Sequence, residues 1–386
     1  MKLNLHLRQF LSSTASYILS PAGGKSETLS EGRLDFIDGL RGITMLMVVY
    51  WHILVMSLNV TTYTAMTLQL FRMPLFFFVS GFFAWSLRYD ASKLKKRLSN
   101  RWHRQLVPTV IIFVAFIIFD LLWAANFNNI GECLGNLFRS LGTNALSEFK
   151  SGYWFTFVLV EIFCIFAPLN YLLSRSNIGR RTQGLIFLGI ALSCTLIEGL
   201  FSANYSPESA EWIKKATEIF SLTHLLKYQV FFYLGAAARA FDKAIWQCLS
   251  RRISIMAVIA LTIAVYYFTP RFHVPLPAFY GAACTGILFS LTLFLAFRNF
   301  FTSSRGAAQL LKFIGKNTLP IYLLHYFIIR MMKDMDLPWL ISLIKTGAWV
   351  EIPLVLLLSM AITLTVLGVD RLLKIKPRIH RIIFSA

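Results

Sequence analysis

The chain is poor in charge. Asp, Glu, Lys and Arg make up 15% of its 386 residues, against about a quarter in soluble globular domains. Acidic residues are scarcest: 18, against 38 Lys and Arg, for a formal net charge of +20. Of five cysteines (Cys133, Cys164, Cys194, Cys248, Cys284), only Cys133 falls in an expected outer loop. No disulfide framework is therefore implied, and no cysteine stands at a metal-ligand spacing from a histidine, so no metal is expected. The first 34 residues hold no long apolar core and do not read as a secretory signal. The chain also lacks internal repeats and low-complexity tracts, and its longest polar loops, near 126–152 and 203–218, are too short to fold alone.

What the chain has is apolar surface. Hydrophobic residues make up 56% of it, with 35 phenylalanines. Apolar runs of ~20 residues, each able to cross a ~30 Å hydrocarbon core, recur along its length. The fold expected is an all-α, polytopic membrane bundle of about ten transmembrane helices, near 38–58, 70–88, 105–125, 153–173, 183–202, 219–239, 253–269, 278–298, 311–331 and 353–373. Alternate connections hold 28 of the 38 Lys and Arg residues, seven of them within 88–105, and the opposite connections hold eight. By the positive-inside rule both termini are cytoplasmic. The domain plan is a cytoplasmic tail over 1–34, a membrane domain over 35–374 and a cytoplasmic tail over 375–386, with an amphipathic stretch over 5–19 on the membrane surface. The basic charge follows topology and attraction to anionic lipid headgroups, so membrane lipid is an expected partner and nucleic acid is not.

Arg41 and His52 stand eleven positions apart. Eleven helical steps of 100° come within ~20° of whole turns, so the two share a face with ~16 Å of rise between them. That puts Arg41 at the membrane edge and His52 near mid-bilayer, where an ionisable group is costly and reads as functional. Asp38, Gly39, Arg41 and Gly42 at a helix entrance suit a phosphate, through uncovered N–H groups and a guanidinium; an Asp N-cap beside an interfacial Arg is the plain alternative. Arg72 lies near the outer end of the second expected span, where snorkelling to water accounts for it. Tyr153 and Trp154 fit interfacial anchors. Glu161, two turns deeper, is either protonated, paired or beside a wet cavity. Running outward from Gly315, the ninth span brings Tyr322 and His325 to mid-depth. Together these polar groups outline a cavity crossing much of the bilayer.

Four segments resemble the acyltransferase-3 family of integral membrane acyltransferases: Asp38-Gly-Leu-Arg-Gly with Arg41, ten residues and His52; Phe71-Arg-Met-Pro-Leu-Phe-Phe-Phe-Val-Ser-Gly-Phe; Tyr153-Trp-Phe; and Gly315-Lys-Asn-Thr-Leu-Pro-Ile-Tyr-Leu-Leu-His325. They occur in family order. The resemblance implies an enzyme of the bacterial inner membrane that moves an acyl group, most often acetyl, from acyl-CoA to a sugar hydroxyl of a cell-envelope or lipid-linked glycan. Acetyl-CoA is then the expected donor. Glucan succinyltransferases of the same family make succinyl-CoA the alternative. By analogy His52 is catalytic, with Arg41 as its partner, and Arg72, Trp154 and His325 line the site. Many relatives carry a fused extracytoplasmic esterase-like domain, which is not expected here.

The mechanism expected holds the CoA phosphates at Asp38 and Arg41 and brings the thioester to His52. A neutral imidazole then removes the acceptor's proton, or His52 carries the acyl group itself. Glu161 is expected to orient the imidazole, and His325 or Tyr322 to donate to the oxyanion. A glycan or small-molecule transporter is the rival class, disfavoured by the lack of a duplicated Arg-to-His segment. The stretch 123–129 is a candidate acceptor contact. Oligomeric state is not legible in the sequence.

Overall fold

The computed structural model describes residues 35–124, 131, 135, 145–205, 210–269, 274–297, 300, 306–375 and 384. The tail over 1–34 with its amphipathic stretch, most of the tail over 375–386, and Cys133 lie outside the described residues. The described chain is helical, without strands. An apolar surrounding explains this, because a helix pairs its own backbone N–H and C=O groups where no water can.

Seven helical segments are long and apolar enough to cross a membrane: Ile37–Ser57, Tyr63–Ala84, Ala91–Ala124, Gly152–Arg175, Arg180–Asn204, Leu276–Ala296 and Ala348–Ile375. The pair Asp242–Leu249 and Arg252–Phe268, bent by 83°, raises the count to eight. The count of about ten read from the sequence is larger. Helix Leu222–Ala240 occupies one remaining expected span but carries His224, Lys227, Gln229 and Arg239. The other, near 311–331, breaks at Asn317 into Gly306–Lys316 and the 16-residue Thr318–Lys333. Helix Arg180–Asn204 illustrates the inverted surface. Leu185, Leu192, Leu196 and Leu200 form an exposed stripe, while Gln183, Phe187, Ala191, Cys194 and Glu198 turn inward. The chain is a multi-pass helical membrane protein.

The described helices are α1 (Asp35–Trp51), α2 (Tyr63–Ala84), α3 (Ala91–Arg101), α4 (Val107–Ala124), α5 (Ala145–Arg175), α6 (Arg180–Asn204), α7 (Glu211–Ile219), α8 (Leu222–Ala240), α9 (Asp242–Leu249), α10 (Arg252–Phe268), α11 (Leu276–Ala296), α12 (Gly306–Lys316), α13 (Thr318–Lys333), α14 (Pro338–Lys345) and α15 (Ala348–Ile375). They form two compact units, one of Met1–Ile43 with Phe241–Lys316, the other of Thr44–Ala240 with Asn317–Ala386.

In the first unit the start of α1 lies against α12 backbone to backbone. A Cβ on Gly42 would stand 2.1 Å from the Leu311 carbonyl oxygen, and one on Gly315 1.8 Å from that of Asp38. Helix α10 packs on α11, with Tyr266 Oη donating to the Ala282 carbonyl at 3.0 Å.

In the second unit α8 packs against both α2 and α6. Its crossing with α2 uses the same device: a Cβ on Gly81 would lie 1.9 Å from the Phe232 carbonyl oxygen, and one on Gly235 1.9 Å from that of Phe78. Small residues permit this approach, which replaces the hydrophobic drive missing between helices in lipid. Thr62 starts α2, its Oγ1 accepting from Ala65 N–H at 3.1 Å. Asp90 caps α3 in the same way through Lys93 N–H at 2.7 Å, a bond that holds its carboxyl below the usual carboxylate range. The carboxylate of Glu351, buried in the first turn of α15, accepts from Tyr50 Oη at 2.7 Å and Thr62 Oγ1 at 2.8 Å. One oxygen thus joins α1, the start of α2 and α15.

Gly81→Ala and Gly235→Ala are each expected to destabilise the protein by about 1–3 kcal/mol, the usual cost of overpacking. Thermal unfolding in detergent checks this against Gly189→Ala, whose Cβ meets nothing within 4 Å and which should be neutral or slightly stabilising. Equal melting temperatures in all three variants would contradict the close crossing.

Candidate active site

His52 opens the π-helical turn His52–Ser57 at the end of α1. Leu58 N–H reaches back five residues to the Ile53 carbonyl at 3.0 Å, and Val60 N–H reaches Leu54 at 2.8 Å. Such a widened turn shifts the following side chains out of the regular helical register, and π turns recur at functional sites.

Three side chains of α13 meet this turn and α5. Tyr322, His325 and Tyr326 are spaced three and four apart, so they share one face. The fully buried His325 places its Nε2 3.0 Å from His52 Nδ1 and its Nδ1 3.0 Å from the Ile321 carbonyl. Tyr326 Oη lies 3.3 Å from His52 Nε2 and donates to the Gly152 carbonyl at 2.6 Å. Tyr322 Oη donates to the same carbonyl at 2.9 Å, and Tyr153 Oη to that of Leu323 at 3.0 Å. Alpha-five and α13 are thereby stitched together around His52.

The donors and acceptors assign the protons. A carbonyl only accepts, so His325 Nδ1 carries hydrogen. A neutral His325 then offers a lone pair at Nε2, which takes the hydrogen of His52 Nδ1. The remaining lone pair of a neutral His52 is at Nε2, facing Tyr326. Tyr326 has one proton to give, to Gly152 or to His52, and Gly152 keeps that of Tyr322 in either case. With His52 protonated, Nε2–H donates to Tyr326 Oη and every partner is matched. The array therefore accommodates both protonation states of His52, the requirement for a base that takes up and returns a proton.

Arg72 departs from the sequence reading. Thr62 starts α2 well before the expected position 70, so Arg72 lies in mid-helix and is only 7% exposed. It does not snorkel. Its guanidinium sits over the Trp51 ring, 3.9 Å from the centroid, and its Nε and Nη1 are buried without an acceptor. Trp51 packs edge-on against the His52 ring at 5.3 Å.

Other expected residues take different places. Glu161 does not orient the imidazole: it lies nine residues beyond Gly152 on α5, ~14 Å by helical rise, and both nitrogens of His52 meet His325 and Tyr326. Neither His325 nor Tyr322 has a spare proton for an oxyanion, since His325 Nδ1–H goes to Ile321 and the Tyr322 hydroxyl to Gly152. Trp154 is half-buried and packs at a tilt against the rings of His224 and Tyr228, with centroids 4.4 and 5.1 Å away. In the first unit, buried Asp38 stands 3.9 Å from Arg41. Trp123, at the start of the candidate acceptor stretch, donates its indole N–H to Asp334 at 2.9 Å; the rest of that stretch beyond Ala124 lies outside the described residues. Among the described residues no group of three His, Cys, Asp or Glu could hold a metal ion.

The sequence reading missed Tyr326, Trp51 and Gly152. Tyr326 was within reach, standing four residues after Tyr322 and beside His325. Gly152 acts through its carbonyl, which no side-chain pattern signals.

The structure thus sets a buried histidine pair inside a multi-pass helical membrane fold. The family model of the acyltransferase-3 acyltransferase domain matches residues 34–368, and the chain belongs to that family. No curated protein and no solved structure matches it.

His325→Phe should destabilise the protein by about 1–3 kcal/mol, because His52 Nδ1 is left buried and unpaired. His52→Phe combined with His325→Phe should cost less than the sum of the single changes, by about 1–2 kcal/mol. Unfolding in denaturant measures this, and strict additivity would mean that the two rings do not pair.

Proposed function

We propose that the protein is a membrane-bound O-acyltransferase that moves an acyl group from acyl-CoA to a sugar hydroxyl of a cell-envelope glycan, with His52 as general base. The observation that carries this reading is the lone pair left at His52 Nε2 by the His325 contact. The acceptor hydroxyl takes the place of Tyr326 at Nε2 and gives up its proton as its oxygen attacks the thioester carbonyl. The tetrahedral intermediate collapses with cleavage of the C–S bond. Nε2–H returns the proton to the departing thiolate, leaving an ester and free CoA. Acid–base assistance of this kind contributes about 10²–10⁴-fold.

His325 is a positioning residue in this scheme, holding the His52 tautomer through Nδ1. Asp38 and Arg41 are assigned to the donor's phosphates, as their helix-entrance chemistry suggests. Trp154 and Tyr322 belong to the walls of the acceptor region. About ten spans, cytoplasmic termini and bacterial inner-membrane residence complete the proposal; the apolar runs support the first, the charge asymmetry the second and the family resemblance the third. The family favours acetyl over succinyl as the acyl group.

CoA release from acyl-CoA by the detergent-purified protein tests the scheme. His52→Ala should lower kcat by at least about 100-fold while the protein stays folded. Arg41→Ala should mainly raise the donor KM, by about tenfold, as expected for losing one charge-assisted contact. Near-normal turnover without His52, or an unchanged KM without Arg41, would contradict the assigned roles.

A further inference from the structure

Two buried carboxylates of the second unit have partners: Glu351 takes two hydroxyl donors, and Asp370 takes Lys374 Nζ at 2.5 Å. Arg72 is different. Among the described residues no oxygen accepts from its guanidinium, and the face of Trp51 is the partner the structure gives it. Trp51 repeats the pattern, with its indole Nε1–H also buried and unpaired. Two donors thus stand side by side with no acceptor between them, next to His52. The Arg72 charge also lies within electrostatic reach of His325, Tyr228, Tyr322 and Tyr326.

A fixed cation in an apolar interior is costly without a counter-ion. The Tyr322 hydroxyl is engaged with Gly152, the Tyr326 hydroxyl with Gly152 and His52, and His325 with His52, and no hydrogen bond joins any of them to the guanidinium. What the pocket lacks is a group that only accepts and brings negative charge. A carboxylate fits, because its two oxygens match the guanidinium fork and leave a lone pair for an indole N–H. The single neutral carbonyl of an acetyl thioester would leave the charge uncompensated.

We infer that Arg72 and Trp51 form a carboxylate subsite beside His52, filled by a substrate carrying a free carboxylate near its reacting group. Two sources have this chemistry: the acyl group of a dicarboxylic half-thioester donor, or an acidic sugar acceptor. The inference rests on the acyltransferase reading and departs from its acetyl preference.

The test measures CoA release from acetyl-CoA and succinyl-CoA by the purified full-length protein, with water, glucose or glucuronate as acceptor. With the acyl group as source, the wild-type KM for succinyl-CoA is at least about tenfold below that for acetyl-CoA. Arg72→Gln erases that difference, and Arg72→Lys restores part of it. With the acceptor as source, the donors behave alike, and glucuronate but not glucose stimulates release in a manner that needs Arg72. In either case Trp51→Phe, which keeps the ring and removes the N–H, weakens the discrimination by about threefold or more. The subsite is overturned if a carboxylate on neither substrate matters to the wild type. It is equally overturned if Arg72→Gln lowers kcat for every pair by one common factor with discrimination intact, the mark of an oxyanion or structural role. If Arg72→Gln does not fold, wild-type discrimination and Trp51→Phe decide. Absence of His52-dependent release with either donor would instead reject the acyltransferase reading. Calorimetry with succinate and neutral succinamide then decides the subsite alone: Trp51-sensitive binding of succinate only upholds it, and no binding rejects it.

Discussion

The hydrogen bond between His52 Nδ1 and His325 Nε2 joins residues 273 positions apart in the sequence. Each ring constrains the other. His325 is anchored by the carbonyl of its own helix, so its outward nitrogen can only accept, and that fixes which nitrogen of His52 is left basic. The bond also brings the π turn of α1 to the face of α13, and the two tyrosines of that face carry the link on to Gly152 of α5. Three helices converge on one imidazole.

Burial of His52, His325 and the two tyrosines favours such a network over bonds to solvent. In an apolar medium each unpaired polar group is expensive, and the arrangement that satisfies the most groups dominates. Glu351 with Tyr50 and Thr62 follows this rule. Against that background the unpaired donors of Arg72 and Trp51 gain their meaning. They are also compatible with catalysis, which requires groups held in place before the partner arrives.

The backbone crossings are the second constraint. Gly42 and Gly315 in one unit, and Gly81 and Gly235 in the other, each occupy a place where a single methyl group would meet a carbonyl oxygen. Three of these glycines fall inside the motifs that mark the family in the sequence, and the structure gives them a packing reason. Chemistry and packing are thus interleaved within the same short segments, so His52 follows Gly42 by ten residues and His325 follows Gly315 by ten.

How far the sequence can be read depends on how local the signal is. Apolar runs, helical character and the Arg41–His52 spacing depend on neighbours along one chain segment, and they announced a polytopic membrane protein with an ionisable histidine inside a span. His325 was legible as a buried ionisable group, but its pairing with His52 was not, and the place of the group that orients His52 was given to Glu161. Arg72 was read as a snorkelling residue because the start of α2 was set too late, and a shift of seven positions moves a cation from the rim to the interior. Tyr326, Trp51 and the Gly152 carbonyl acquire roles only through contacts across helices. The sequence by itself determined the solvent and the helical class, and it placed an ionisable histidine inside a span, since these follow from composition and periodicity. Which nitrogen is free, which cation lacks a partner and which carbonyl receives two hydroxyls were decided by tertiary structure, because hydrogen bonds depend on distances that helix packing alone sets.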